Sequence, residues 1–244
     1  MSIATSAPLP TLLFAAVAAL TVAACGITVN LDDGGTERRI TTDTIAVGDL
    51  RSLDLTTENG TIDVRATDRD EITVESVLRE HDEGDAEVTI DVDDDRLVIR
   101  GECDDGWFES CSVGFVVDVP AAFDVDVSTE NGGVELIGVA GHVRIDSENG
   151  AIDADALASP TVEAHTDNGG VRLTFVDVPG SAVATTGNGS ITMHLPDGGT
   201  DDYDVDAVTD NGAVDVGVRT DPESDHRITA RSDNGSIDVG YRTT

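Results

Sequence analysis

The chain has 244 residues, of which 39% are hydrophobic and only 3% aromatic, and its formal net charge is −35 at pH 7. That length suits one sizeable domain or a long repeat array, and the scarcity of aromatics suits a thin interior of Val, Ile, Ala and Thr. All 14 basic residues are Arg; with no basic face to neutralise phosphates, the balance argues against a nucleic-acid partner.

The 49 acidic residues are interleaved with Val and Ile along the whole chain, so hydrophobic periodicity persists and disorder is not the reading of the charge. Self-repulsion on this scale destabilises a compact state. Molar salt shortens the Debye length to about 3 Å and removes most of that penalty. The expectation is adaptation to a hypersaline medium; the rival is a calcium-loaded acidic surface.

Residues 1–31 carry no charged side chain, and residues 11–24 (TLLFAAVAALTVAA) are apolar. As a helix that run spans roughly 21 Å, short of a hydrocarbon core of about 30 Å. A secretory signal fits it better than a spanning helix. Val22-Ala23-Ala24-Cys25 resembles the lipobox of secreted lipoproteins, which implies cleavage before Cys25 and lipid attachment to its sulfur. The departure is the stretch before the apolar run, which has no Lys or Arg. An uncleaved anchor running on to about Leu31 would give the same topology. The expected division is a signal peptide over 1–24, a lipidated Cys25 and flexible tether over 25–47, and a single β-strand-repeat domain over 48–244. Asp32-Asp33-Gly34-Gly35 reads as loose chain.

From Asp49 onward apolar and polar residues alternate with period two, as in Leu53-Leu55-Thr57, Ile72 to Leu78, Val88 to Val92 and Val113 to Val119. No convincing 3.6-residue period follows residue 30, so the predicted class is all-β. There are three Cys. With Cys25 lipidated, Cys103 and Cys111 remain. In an exported chain they read as a disulfide, since a zinc site would need a C-x-x-C spacing or a nearby His pair. Trp107 and Phe108 sit on the loop between them, either folded back as a local plug or exposed as a partner contact.

Seven Asn-Gly units follow one frame, at Asn59, Asn131, Asn149, Asn168, Asn188, Asn211 and Asn234. Two residues before Asn stands a hydroxyl: Thr57, Thr129, Ser147, Thr166, Thr186, Thr209, Ser232. Four before and three and five after are apolar, with the parity of an inward strand face. The position four after, Asp63, Glu135, Asp153, Arg172, Thr192, Asp215 and Asp238, points out. Asn and Gly both tolerate positive φ, so the pair predicts a sharp turn in which these Asn are turn and stacking residues, not ligands. Seven hairpins or the coils of a solenoid fit the parity equally. The intervals of 18, 19, 20, 23 and 23 residues from Asn131 onward, and the column identity, favour the solenoid. The predicted fold is a right-handed parallel β-solenoid cornered at Asn-Gly, with an irregular N-terminal portion carrying a disulfide loop.

The VDVP step at residues 117–120, followed by DVDVSTENGGVEL, RIDSENGAID, VEAHTDNGGVRL, ATTGNGSITM, AVTDNGAVDV and ARSDNGSIDV, resembles a bacterial and archaeal β-strand-repeat family of unknown function known as "putative adhesin", over roughly residues 48–244. The resemblance implies a β-solenoid, extracytoplasmic placement and a surface-interaction role. It carries no catalytic or binding residues to transfer.

The five His (81, 142, 165, 194, 226) form no ligand spacing, and no phosphate loop, G-x-S-x-G or HExxH occurs. Residues 198–202 and 91–95 are acidic clusters that read as solvated turns. Asp153, Arg172 and Asp215 on the outward column could mimic a polysaccharide lyase. The preferred expectation has no catalytic residue, metal or cofactor. It is a lipid-anchored, non-catalytic protein on the outer face of the cell membrane that binds envelope polysaccharide or surface proteins. The alternative is an envelope-stress sensor or scaffold for a membrane partner.

Overall fold

The computed structural model describes residues 23–27, 37–80, 86–103, 111–197 and 202–243. The strands are β1 (Ala23–Ile27), β2 (Glu37–Ala46), β3 (Ser52–Asn59), β4 (Ile62–Thr67), β5 (Glu71–Glu80), β6 (Ala86–Asp93) and β7 (Arg96–Cys103). Next come β8 (Ser112–Pro120), β9 (Asp124–Asn131), β10 (Val134–Ile137), β11 (Val143–Asn149), β12 (Ile152–Leu157), β13 (Thr161–Asn168) and β14 (Val171–Phe175). The chain closes with β15 (Ser181–Asn188), β16 (Ile191–Leu195), β17 (Asp204–Asn211), β18 (Val214–Val216), β19 (Arg227–Asn234) and β20 (Ile237–Tyr241). No helix among the described residues is long and apolar enough to cross a membrane.

The strands form two sheets. One has eleven strands in the order β1-β2-β5-β8-β4-β10-β12-β14-β16-β20-β18, and the other nine, β17-β19-β15-β13-β11-β9-β3-β7-β6. In each repeat the strand ending on Asn lies in the nine-stranded sheet, and the strand that starts three residues later lies in the eleven-stranded one. Neighbouring repeats pair parallel and in register, Asn over Asn. Hairpins would pair antiparallel, so the structure resolves the ambiguity of parity in favour of stacked coils.

The coils do not stack in chain order. β19 and β20 lie between β15/β16 and β17/β18, so the last coil of the sequence is inserted and the Asn211 coil ends the stack.

The N-terminal portion is not irregular, contrary to expectation, because its period-two alternation forms strands as it does elsewhere. β7 and β8 make a further coil, stacked parallel on the Asn59 coil without an Asn-Gly of its own. β5 pairs antiparallel with β8, β2 with β5, and β6 with β7. The expected tether likewise ends early: residues 37–46 are strand β2. Ile45 of that strand is fully buried. The Asp32–Gly35 stretch lies outside the described residues. β1 spans the expected cleavage site, with Cys25 opposite Thr42 of β2.

The core is the thin interior between the sheets. It is filled by the inward columns, from Leu55, Val127 and Ile145 to Ala230 on one side and from Val64 and Leu136 to Val239 on the other. Thin coils of small side chains need few rings. Phe115, Phe123, Phe175 and Tyr203 fill the wider places, and the Tyr203 hydroxyl donates to the Pro196 carbonyl at 2.8 Å.

Candidate functional site

The seven Asn form one ladder. The side-chain amide of Asn131 donates to Asn59 (3.0 Å), Asn149 to Asn131 (3.1 Å), Asn168 to Asn149 (3.0 Å) and Asn188 to Asn168 (3.0 Å). Asn234 then donates to Asn188 and Asn211 to Asn234, each at 3.1 Å. Beneath it the hydroxyl column donates to the glycine carbonyl of the adjoining coil, as in Thr166 to Gly150 (2.9 Å) and Thr186 to Gly169 (2.8 Å).

The reason for the glycine differs from the one expected. Among the described residues, positive φ occurs only at Gly48, Asp94, Gly138 and Ala156. The Asn-Gly glycines are required by close approach instead. A Cβ on Gly150 would lie 1.8 Å from the Gly132 carbonyl oxygen, and one on Gly189 1.8 Å from that of Gly169.

Cys103 and Cys111 are joined by a disulfide, with Cα atoms 5.9 Å apart. Gly101 pairs with Thr57, which places Cys103 level with Asn59, so the bridge sits where the other coils have Asn-Gly. Gly101 replaces the column hydroxyl because a Cβ there would meet the Phe115 ring at 2.7 Å. Trp107 and Phe108 lie outside the described residues, as do His81 and residues 198–201.

The outward column of the eleven-stranded sheet runs Asp63, Glu135, Asp153, Arg172, Thr192, Asp238, Asp215 in space. Arg172 pairs with Asp153 at 3.6 Å, both exposed. Asp215 stands four strands from Asp153, roughly 19 Å at the usual strand spacing, so the trio is not brought together. Asp94 and Asp95 form the turn of the β6–β7 hairpin, and Asp202 accepts from Arg219 at 2.9 Å. Among the described residues no three His, Cys, Asp or Glu are placed to hold a metal ion. His226 Nδ1 meets the Pro179 carbonyl at 3.0 Å, and His165 Nδ1 meets Thr185 at 2.7 Å; both serve the local frame.

One concave polar feature lies on the other sheet. Four adjacent strands, β3, β9, β11 and β13, present Asp54, Asp126, Arg144 and Glu163 level with one another, and Arg96 of β7, level with Ser52, reaches Asp54 from two residues back. A shallow groove of about 350 Å³ runs along them, with Asp124 and His142 on its rim. Arg96 pairs with Asp54 at 3.5 Å, and Arg144 with Glu163 at 3.0 Å and Asp146 at 3.7 Å. The Asp126 carboxyl is pushed above the ordinary range, by loss of solvation first and by the neighbouring Asp54 second, with Arg144 and Arg96 opposing. Guanidinium forks and carboxylates on neighbouring strands offer donors and acceptors to an extended polar chain. Sequence reading missed this row. The signal was the column five before Asn, where the register aligns Asp54, Asp126, Arg144 and Glu163.

Comparison with known proteins agrees with the architecture. The structure is similar to that of a putative cell adhesion protein from Clostridium sporogenes, at 11% identity and a TM-score of 0.51, covering 84% of this chain and all of the other. It is also similar to a putative adhesin from Bacteroides fragilis, at 16% identity and a TM-score of 0.47, covering 84% of this chain and 97% of the other. At these identities the likeness is one of fold. No curated protein sequence matches. Residues 26–244 match the family model Toastrack DUF4097. The chain belongs to the Toastrack DUF4097 family.

Proposed function

We propose that this chain is an exported, lipid-anchored, non-catalytic protein of the cell surface that binds envelope polysaccharide or surface proteins through its outer sheet faces. The observation that carries the reading is the groove that Arg96, Asp54, Asp126, Arg144 and Glu163 line. It is a shallow, solvent-facing groove lined by guanidinium and carboxylate groups, suited to holding a long polar ligand. The likeness of fold to a putative cell adhesion protein is in keeping with it. The coil is taken as right-handed, the hand that parallel crossovers favour. The lipid on Cys25 would hold the chain at the membrane, each buried CH₂ contributing about 0.8 kcal/mol. The interleaved acids would suit a hypersaline exterior.

Two variants of the full chain test this. Cys25→Ser is expected to move the protein from the membrane fraction to the medium; unchanged membrane retention counts against the anchor. Arg96→Ser with Arg144→Ser is expected to lower retention on isolated cell envelopes at least tenfold. Unaltered retention removes the groove from the account.

A further inference from the structure

The two ends of the stack are chemically different. At one end β1, β2, β5 and β6 run antiparallel to their neighbours, with β1 and β6 as the edges of the two sheets. At the other, β17 and β18 each have a partner on one side alone among the described strands. The inward columns there stand open: Val214 is 43% and Val216 37% exposed, whereas the same two columns are at most 2% exposed in the six other Asn-Gly coils. Val208, on the outer side of β17, is 51% exposed; the other coils hold Thr, Ser, Asp, His or Arg at that position. Edges of this kind pair with other chains unless guarded.

We infer that the open ends of two copies of this chain pair about a two-fold axis, β17 antiparallel to β17 and β18 to β18. Three observations select a second copy. The Ser/Thr-x-Asn-Gly frame that fits this face is absent from the opposite end of the same stack, so head-to-tail growth has no matching surface. In an antiparallel pair centred on Val208, Ala207 faces Thr209, so inward positions meet inward positions and the two interiors join. The inward side chains of the face are uncharged, and two of the acids on its strands are paired, Asp204 with Arg227 at 3.4 Å and Asp206 with Arg231. Asp210 and Asp215 remain on the outer side, where salt screens their repulsion across the seam. A β17 of eight residues is about 26 Å long, and two sheets with their side chains span about 20 Å. Each copy would bury about 500 Å², and the pair about 1,000 Å², the lower bound of a specific interface.

The pairing has a geometric consequence. β1 and β18 are at opposite edges of the eleven-stranded sheet, ten strand spacings or roughly 48 Å apart. Two copies joined at their open ends therefore put their N-terminal segments at opposite poles. If the chain is anchored there, as the adhesion reading holds, the dimer bridges two membranes: adhesion by self-recognition.

The test is sedimentation equilibrium of the full chain in detergent, at 0.1 M and 2 M NaCl, beside Val208→Lys and Val214→Lys. Val208 faces outward, so its replacement leaves the coil folded. Twice the protomer mass is expected for the wild type, with the dimer fraction rising with salt as repulsion is screened, and at least a tenfold weaker association for both variants. A wild type that stays monomeric to 100 µM, an open-ended polymer, or variants that dimerise unchanged would each overturn the pairing. Vesicles carrying the membrane-bound wild type are then mixed. Clumping that the Val208→Lys chain abolishes supports bridging. Dimers in solution without clumping leave the pairing standing and overturn the adhesive reading.

Discussion

Asn234 donates its side-chain amide to Asn188, 46 residues away in sequence, across 3.1 Å. The chain passes over that position once, lays down the Asn211 coil beyond it, and returns to fill the space. The Asn211 coil therefore hangs on the last coil alone, through β17 on β19 and β18 on β20.

Removing the last coil should free two. Ending the chain after Asp225 uncovers the Asn188 coil and deprives β17 and β18 of their sheet partners. Amide hydrogen exchange of the truncated chain is expected to show residues 204–216 unprotected, while residues 124–175 keep their protection. Protected residues 204–216 would mean that the coils stack in chain order.

The ladder gives a graded prediction. Asn234 both donates and accepts, whereas Asn211 makes one such bond. Asn234→Ala is expected to cost about 1–2 kcal/mol and Asn211→Ala about half as much, at roughly 1 kcal/mol or less per exposed hydrogen bond. Urea unfolding of the two variants measures the order.

Adjacent glycines should behave oppositely. A Cβ on Gly132 would sit 1.9 Å from the Gly60 carbonyl oxygen, while one on Gly133 would meet its nearest atom, the Ala151 oxygen, at 3.4 Å. Gly132→Ala is expected to cost about 4 kcal/mol or to abolish folding, since backbone must move. Gly133→Ala should fall within about 0.5 kcal/mol of the parent. Equal effects would contradict the close-approach account of Asn-Gly.

Burial and Asp54 raise the Asp126 carboxyl, so the folded state holds that proton more tightly than the unfolded chain. Its contribution to stability falls as pH rises from about 3.9, the ordinary aspartate value, through the raised folded value, and stays low above it. Asp126→Asn should remove that slope. Thermal melts from pH 4 to 7 are expected to show a variant at least as stable as the parent at pH 7, with the difference shrinking in molar salt. A parent that gains on the variant as pH rises would refute the sign.

The inward columns were legible because alternation with period two survives in every coil, and Val134, Leu136 and their equivalents are buried where the pattern puts them, save Val214 and Val216 of the end coil, which no further described strand covers. The stacking of like on like was legible from column identity. The order of the coils was not. Asn188, Asn211 and Asn234 sit in nearly identical frames, so nothing in the repeat itself marks which coil lies beside which. The β7–β8 coil was missed because it has a disulfide in place of Asn-Gly and Gly101 in place of the hydroxyl. The role of glycine was misread because Asn-Gly in isolation signals positive φ, whereas here the constraint comes from the carbonyl of a coil 18 to 72 residues away. The groove row needed register across five strands, and Arg96 enters it from a coil with no repeat signature.

The most direct measurement is to incubate the full chain with isolated cell envelopes and a polysaccharide panel in molar salt, scoring both retention and newly formed sugar ends. The account predicts retention without new ends, reduced by Arg96→Ser with Arg144→Ser. Release of new ends by the wild type would contradict it and make the chain an enzyme.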